Sequence, residues 1–136
     1  MRHRAAAVAT AMLLLAATTA RAELPPGDPE RGRQIFQPCR TCHYPEPGFG
    51  NYNGPSLTGI FGRKAGTREG FNGYSRVLKE SGFVWTPELL DAWLASPGEF
   101  LADSTMIFVG IPDRQARADL IAYLQQFDQA ARAFRP

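Results

Sequence analysis

The chain has 136 residues, enough for about one ordinary domain, with 15 Lys and Arg against 13 Asp and Glu. A net charge of +2 supplies no electrostatic reason to bind nucleic acid. Its small basic excess sits in the first segment of the chain, which reads as something other than fold.

Residues 1–22 have the build of an export leader. Arg2, His3 and Arg4 make a basic start, Ala5 to Ala17 is a run of small and apolar residues carrying Leu13 to Leu15, and Ala20-Arg21-Ala22 is a small-x-small cleavage site. The run is shorter than the ~20 residues that cross a bilayer as a helix, so cleavage is expected rather than stable membrane insertion. Losing Arg2, Arg4 and Arg21 would leave 12 basic residues against 13 acidic ones, a charge of −1 on a single domain, 23–136. The same cleavage leaves one histidine, His43, and one methionine, Met106.

Asp28-Pro29-Glu30 predicts a helix start, with Asp28 as cap, Pro29 at the first helical position and an acid in the first turn. Gly32, Ile35 and Phe36 share a face, and the helix is expected to end near Pro38. Tyr44 to Gly73, rich in glycine and carrying Pro45, Pro47 and Pro55, predicts a long ordered loop region. Thr86-Pro87-Glu88 starts a second helix with Leu90, Trp93 and Leu94 as its apolar stripe; Ser96-Pro97 ends it, and a short turn follows over Gly98 to Leu101. Asp113 caps a last helix whose Leu120, Tyr123, Leu124 and Phe127 recur every three or four residues. No strand alternation competes, so the expected class is all-α.

The two cysteines stand in Cys39-Arg40-Thr41-Cys42-His43. A disulfide between them would close a tiny loop and constrain little. A thioredoxin-type pair needs a strand-helix-strand unit that does not precede it. A zinc site wants four ligands, and three crowded into five residues fall short. The pattern C-x-x-C-H is the attachment signature of haem c, in which both thiols become thioethers and the adjacent histidine reaches the iron. His43 Nδ1 then needs a fixed acceptor, for which the Gly54-Pro55 backbone is the candidate. Met106 is the soft ligand available for the opposite face, where a thioether favours Fe(II).

With Cys39, Cys42, His43, Gly54-Pro55 and Met106 in view, the chain resembles the class I cytochromes c, the mitochondrial cytochrome c and bacterial cytochrome c2 group. The resemblance runs from about Gly27 to Ala130 and is carried by GPSLTGIFGRKAG (54–66), MIFVGI (106–111) and RADLIAYL (117–124). It implies an all-α class I cytochrome c fold. Its first and last helices cross through Gly32 and Phe36 against Leu120 and Tyr123, and long ordered loops wrap one covalently bound haem. It further implies Arg63, Tyr74, Trp85 and Ser104 near the haem propionates. Three departures stand out. Trp93 replaces a tyrosine that usually bonds the methionine sulfur, and Ala102 replaces a common proline. Thr105 and Glu99 fall where mitochondrial members carry docking lysines; with Asp103 and Asp113 nearby, the Met106 side is partly acidic.

The function implied is that of a soluble, periplasmic, monomeric single-haem electron carrier, not an enzyme. Its expected partners are membrane respiratory or photosynthetic complexes, or periplasmic oxidoreductases. Two rivals remain. One is a dedicated haem subunit of a periplasmic dehydrogenase. The other is a weak peroxidase or gas-binding protein formed when Met106 dissociates.

Overall fold

The computed structural model describes residues 23–133, with side chains through Asp128; the leader, 1–22, lies outside the described residues, as do 134–136. Five α-helices follow in order: α1 Pro29–Ile35, α2 Arg76–Glu80, α3 Pro87–Ala95, α4 Pro97–Phe100 and α5 Arg114–Ala133. A 3₁₀ turn, Gln37–Thr41, follows α1 directly. Among the described residues the only β pairing is an isolated antiparallel bridge between Lys64 and Val84. The all-α expectation holds.

The caps expected from sequence are in place. Asp28 Oδ1 accepts from the N–H groups of Glu30 (2.9 Å) and Arg31 (3.3 Å), Thr86 Oγ1 from Leu89 (3.2 Å), and Asp113 Oδ1 from Gln115 (2.8 Å). Each satisfies donors that a helix start leaves without partners. The end of α1 differs from expectation: the α-helix stops at Ile35 rather than near Pro38. Pro38 has no N–H to return to Gln34, so the chain tightens, with Cys39 N–H donating to the Phe36 carbonyl (2.9 Å) and Cys42 N–H to that of Cys39 (3.0 Å). The short turn expected after Pro97 is the single-turn helix α4. Helix α2, capped by Ser75, is an addition that five residues of RVLKE gave no periodicity to reveal.

Helices α1 and α5 cross at Gly32. A Cβ there would lie 2.6 Å from the Asp119 carbonyl carbon and 2.7 Å from Tyr123 Cβ, so no larger residue fits without moving a backbone. One turn on, the Phe36 ring packs on Tyr123 at 5.5 Å, and Leu120 joins the same buried cluster. The buried Asp119 carboxylate locks the crossing. It accepts from Asp28 N–H (2.8 Å), Arg31 Nε (2.7 Å) and Nη2 (3.0 Å), and Gln115 Nε2 (3.0 Å). The Arg31 hydrogen bond, foremost, holds its pKa down to about 2 from an ordinary 3.8.

A second ion pair, with Arg117 buried, joins α5 to α3. Arg117 Nε donates to Asp91 Oδ1 (2.6 Å), while its Nη1 donates to the carbonyls of Ile111 (2.8 Å) and Pro112 (2.9 Å). Below these contacts, Phe83, Trp85, Trp93 and Phe100 form a closed set of edge-to-face rings with centroids 4.8 to 5.8 Å apart.

Two stability predictions follow from the crossing. Gly32→Val is expected to destabilise the holoprotein by more than about 3 kcal/mol in chemical denaturation, because the clash is with backbone. Asp119→Asn should cost roughly 1–2 kcal/mol near neutral pH; this is less than the full pKa shift implies, because Arg31 is more than half exposed. Asp119 holds fewer protons folded than unfolded between pH 3.8 and about 2, so its stabilisation is complete above the first value and fades toward the second. Denaturation midpoints followed down in pH should therefore fall less steeply in Asp119→Asn.

Candidate functional site

A cavity of about 490 Å³ opens among the core residues, within the ~300–1,000 Å³ range of cofactor sites. Cys39, Cys42, His43, Pro55, Arg63, Tyr74, Trp85, Ser104 and Met106, all nine residues expected from sequence, line it. They come from the 3₁₀ turn, three loops and the segment after α4, and only the fold brings them together.

On one wall, the tight turn after α1 places Cys39, Cys42 and His43 within a single bend, and His43 N–H donates to the Cys39 carbonyl (2.8 Å). The two thiols form no disulfide with each other, and burial pushes that of Cys39 up from its ordinary pKa. His43 Nδ1 lies 2.8 Å from the Pro55 carbonyl. That carbonyl can only accept, so Nδ1 carries the proton and Nε2 keeps its lone pair. Burial lowers the His43 pKa, opposed by the Pro55 bond, and favours the neutral ring a metal requires. Gly54 N–H donates to the Cys42 carbonyl (2.9 Å), drawing the loop against the motif. A Cβ at Gly54 would come within 2.8 Å of both ring nitrogens of His43, so glycine is what allows this approach.

The other wall is the strap from Ser104 to Ile111. Ser104 Oγ accepts from Met106 N–H (3.3 Å), and Ile111 N–H donates to the Leu94 carbonyl (2.7 Å), tying the strap to α3. Met106 and Phe108 pack against the core cluster. Trp93 also lines the cavity, where a tyrosine hydroxyl was the family pattern, and its indole packs edge-on to Trp85 at 5.6 Å.

At a third side Arg63 donates to the carbonyls of Ser56 (3.3 Å) and Thr58 (3.1 Å), and the Tyr74 hydroxyl accepts from Arg68 N–H (3.4 Å). Burial, helped by the charge of Arg68, lowers the Arg63 pKa; burial raises that of Tyr74. The backbone N–H of Trp85 donates to the Arg63 carbonyl (2.9 Å), so the two residues expected at the propionates are neighbours. Arg68 was missed in the sequence. Its Nε is buried with no hydrogen-bond partner, and its charge acts on Arg63 at this end of the cavity.

These features fit haem c. The cavity has two thiols and a neutral imidazole on one wall, a thioether on another, aliphatic lining from residues such as Leu57, Ile60, Leu120 and Leu124, and a cationic end suited to carboxylates.

Comparison with known proteins agrees with the geometry. No family model matches the chain. A cytochrome c of Chlamydomonas reinhardtii is 43% identical over 106 residues, which cover 77% of this chain and 94% of the relative. Cytochrome c2 of Blastochloris viridis is 44% identical over 101 residues, 74% of this chain and 79% of the relative. Among solved structures, cytochrome cH from Methylobacterium extorquens matches with a TM-score of 0.68 at 40% identity, covering 74% of this chain and 99% of that one. Such identity over most of each relative agrees with a cavity built from the expected residues, and the chain belongs to the class I cytochromes c.

Proposed function

We propose that this cytochrome c is a periplasmic shuttle whose iron is held by His43 and Met106 and whose propionates are held by Arg63, Tyr74, Trp85 and Ser104. As a family member it is a soluble single-haem electron carrier, not an enzyme, with one haem c bound covalently through Cys39 and Cys42. Bound there, haem c supplies a one-electron Fe(III)/Fe(II) couple.

The observation that carries the ligand assignment is the 2.8 Å contact between His43 Nδ1 and the Pro55 carbonyl. It fixes the tautomer and the ring plane together, leaving Nε2 as the nitrogen available to a metal. Met106 supports the opposite position because the strap that carries it is tied at Ile111 and through Arg117. A neutral sulfur opposite an imidazole raises the reduction potential. Arg63 and Tyr74 can hydrogen-bond buried carboxylates and so offset their desolvation. In this reading the leader 1–22 directs export and is removed before Glu23, and the 23–136 domain works as a monomer. Its partners are then respiratory or photosynthetic membrane complexes or periplasmic oxidoreductases.

Three measurements test the assignment. Met106→Ala is expected to lower the reduction potential by on the order of 0.1–0.3 V, within the ~0.8 V that axial ligation commands, and to let the ferrous protein bind carbon monoxide; an unchanged potential and spectrum would remove Met106 as ligand. In Cys39→Ala/Cys42→Ala, haem should extract into acidified butanone, whereas the parent keeps its colour. The intact mass of exported holoprotein should correspond to a chain starting at Glu23 plus one haem.

A further inference from the structure

Two of the chain's three asparagines are followed by glycine, Asn53-Gly54 and Asn72-Gly73, and each pair contributes to the lining of the cavity. Such a pair is chemically restless. The glycine backbone nitrogen has no neighbouring Cβ to shield it, and once hydroxide takes its proton it can close a five-membered ring on the asparagine side-chain carbonyl. Whether the ring closes depends on how the fold holds the two groups.

Asn53-Gly54 is locked. Asn53 Nδ2 donates to the Thr41 carbonyl (3.3 Å), and Gly54 is buried with its N–H donating to the Cys42 carbonyl (2.9 Å). Turning that nitrogen toward Asn53 would break the loop's bond to the cysteine turn and leave a buried carbonyl without its donor.

Asn72-Gly73 is open. Both residues are exposed, and residues 71–75 have no helix or strand. Among the described residues neither the Asn72 side chain nor the Gly73 N–H makes a hydrogen bond. A Cβ at Gly73 would lie 2.7 Å from Phe71 Cζ, so the turn keeps glycine there and its nitrogen stays unshielded. The flanks are nonetheless held. Asn51 Nδ2 donates to the Glu69 carbonyl (2.9 Å), Phe71 N–H donates to the Arg68 carbonyl (3.2 Å), and the Phe71 ring packs edge-on to Tyr74 at 4.9 Å. The Gly73 carbonyl in turn accepts from Thr105 Oγ1 (3.3 Å), the residue before Met106 in the strap.

We propose that Asn72 is a site of spontaneous modification, and that its isoaspartate product releases Gly73 from Thr105 and loosens the Met106 strap. The Gly73 nitrogen bonds to Asn72 Cγ, the Cγ–Nδ2 bond breaks and ammonia leaves, taking back the proton that hydroxide removed. One water then opens the succinimide to aspartate or isoaspartate, and nothing is oxidised or reduced. Isoaspartate routes the backbone through Cβ and Cγ, which inserts one methylene, a bond of ~1.5 Å, ahead of the Gly73 nitrogen. A hydrogen bond already at 3.3 Å does not survive a shift of that size. Aspartate adds the same charge at unchanged backbone length and keeps the bond.

The test ages the holoprotein in mildly alkaline buffers and maps its peptides. A gain of about 1 Da, NH2 replaced by OH, should appear at Asn72, faster at higher pH, while Asn53 stays intact. An isoaspartyl carboxyl methyltransferase should label the same peptide, and Asn72→Gln should abolish both signals. In the isoaspartate fraction, amide hydrogen exchange across 104–111 should quicken by about two- to ten-fold, the range for losing one hydrogen bond. Thr105→Val should reproduce this without ageing, whereas Asn72→Asp and Asn72→Gln should exchange as the fresh parent does. The visible spectrum and intact mass, unchanged throughout, report that fold and haem are retained. Equal modification at Asn53, or an Asn72 that stays intact while the free peptide 69–76 converts, would overturn the site. Unchanged exchange in the isoaspartate fraction, or equal quickening in Asn72→Asp, would overturn its link to the strap.

Discussion

The approach of Gly32 to the Asp119 backbone is the contact on which the rest of the molecule is hung. It sets how closely α1 and α5 cross, and each helix delivers one part of the cavity from that point. Beyond Gly32 the chain reaches Phe36, meets Pro38 and tightens, so the two cysteines and His43 emerge at a place the crossing determines. Along α5, Leu120 and Leu124, each directly after a residue of the crossing, reach the same cavity. Chemistry at the CRTCH turn is therefore positioned by helices that carry none of it.

Two ion pairs, each with one buried member, then fix the ends of this frame, and they act differently. Asp119 is surrounded by four N–H donors from the chain start, Arg31 and Gln115, so the N-terminal segment is registered on α5 by a carboxylate whose lone pairs are largely used. Arg117 reads the other way, as a buried cation that gathers Asp91 and two carbonyls at the end of the methionine strap. Removing Arg31 or Asp91 alone would leave the buried Asp119 carboxylate or the buried Arg117 guanidinium short of its counter-charge, which is worse than removing both members of a pair. The thioether wall is thus anchored through hydrogen bonds to α5, although no residue of α5 is expected to touch iron.

Legibility in the sequence followed the range of the interactions. Asp28, Thr86 and Asp113 were readable as caps because a cap is local, and CRTCH was readable because a covalent attachment motif lies within five residues. His43 with Pro55 was nearly as plain, since proline excludes a competing N–H at the acceptor. Arg63, Tyr74, Trp85 and Ser104 entered through resemblance alone, as nothing in loop periodicity points them at a common cavity. The premature end of α1 traces to the same Pro38 that was read as the helix stop, its missing N–H acting one turn earlier than expected. Arg68, Asp119 and Arg117 escaped notice because their roles depend on partners far away or on burial that composition does not encode.

The closed set of Phe83, Trp85, Trp93 and Phe100 has an optical consequence. Both tryptophans of the chain stand 5.6 Å apart in the wall of one cavity, so a strongly absorbing porphyrin held there lies well inside the range for resonance energy transfer from either indole. Near-ultraviolet excitation would then be drained before it could be emitted, and fluorescence would return only as the wall and the pigment separate. The protein carries a dark-to-bright gauge of its own integrity, made from the rings that close its core.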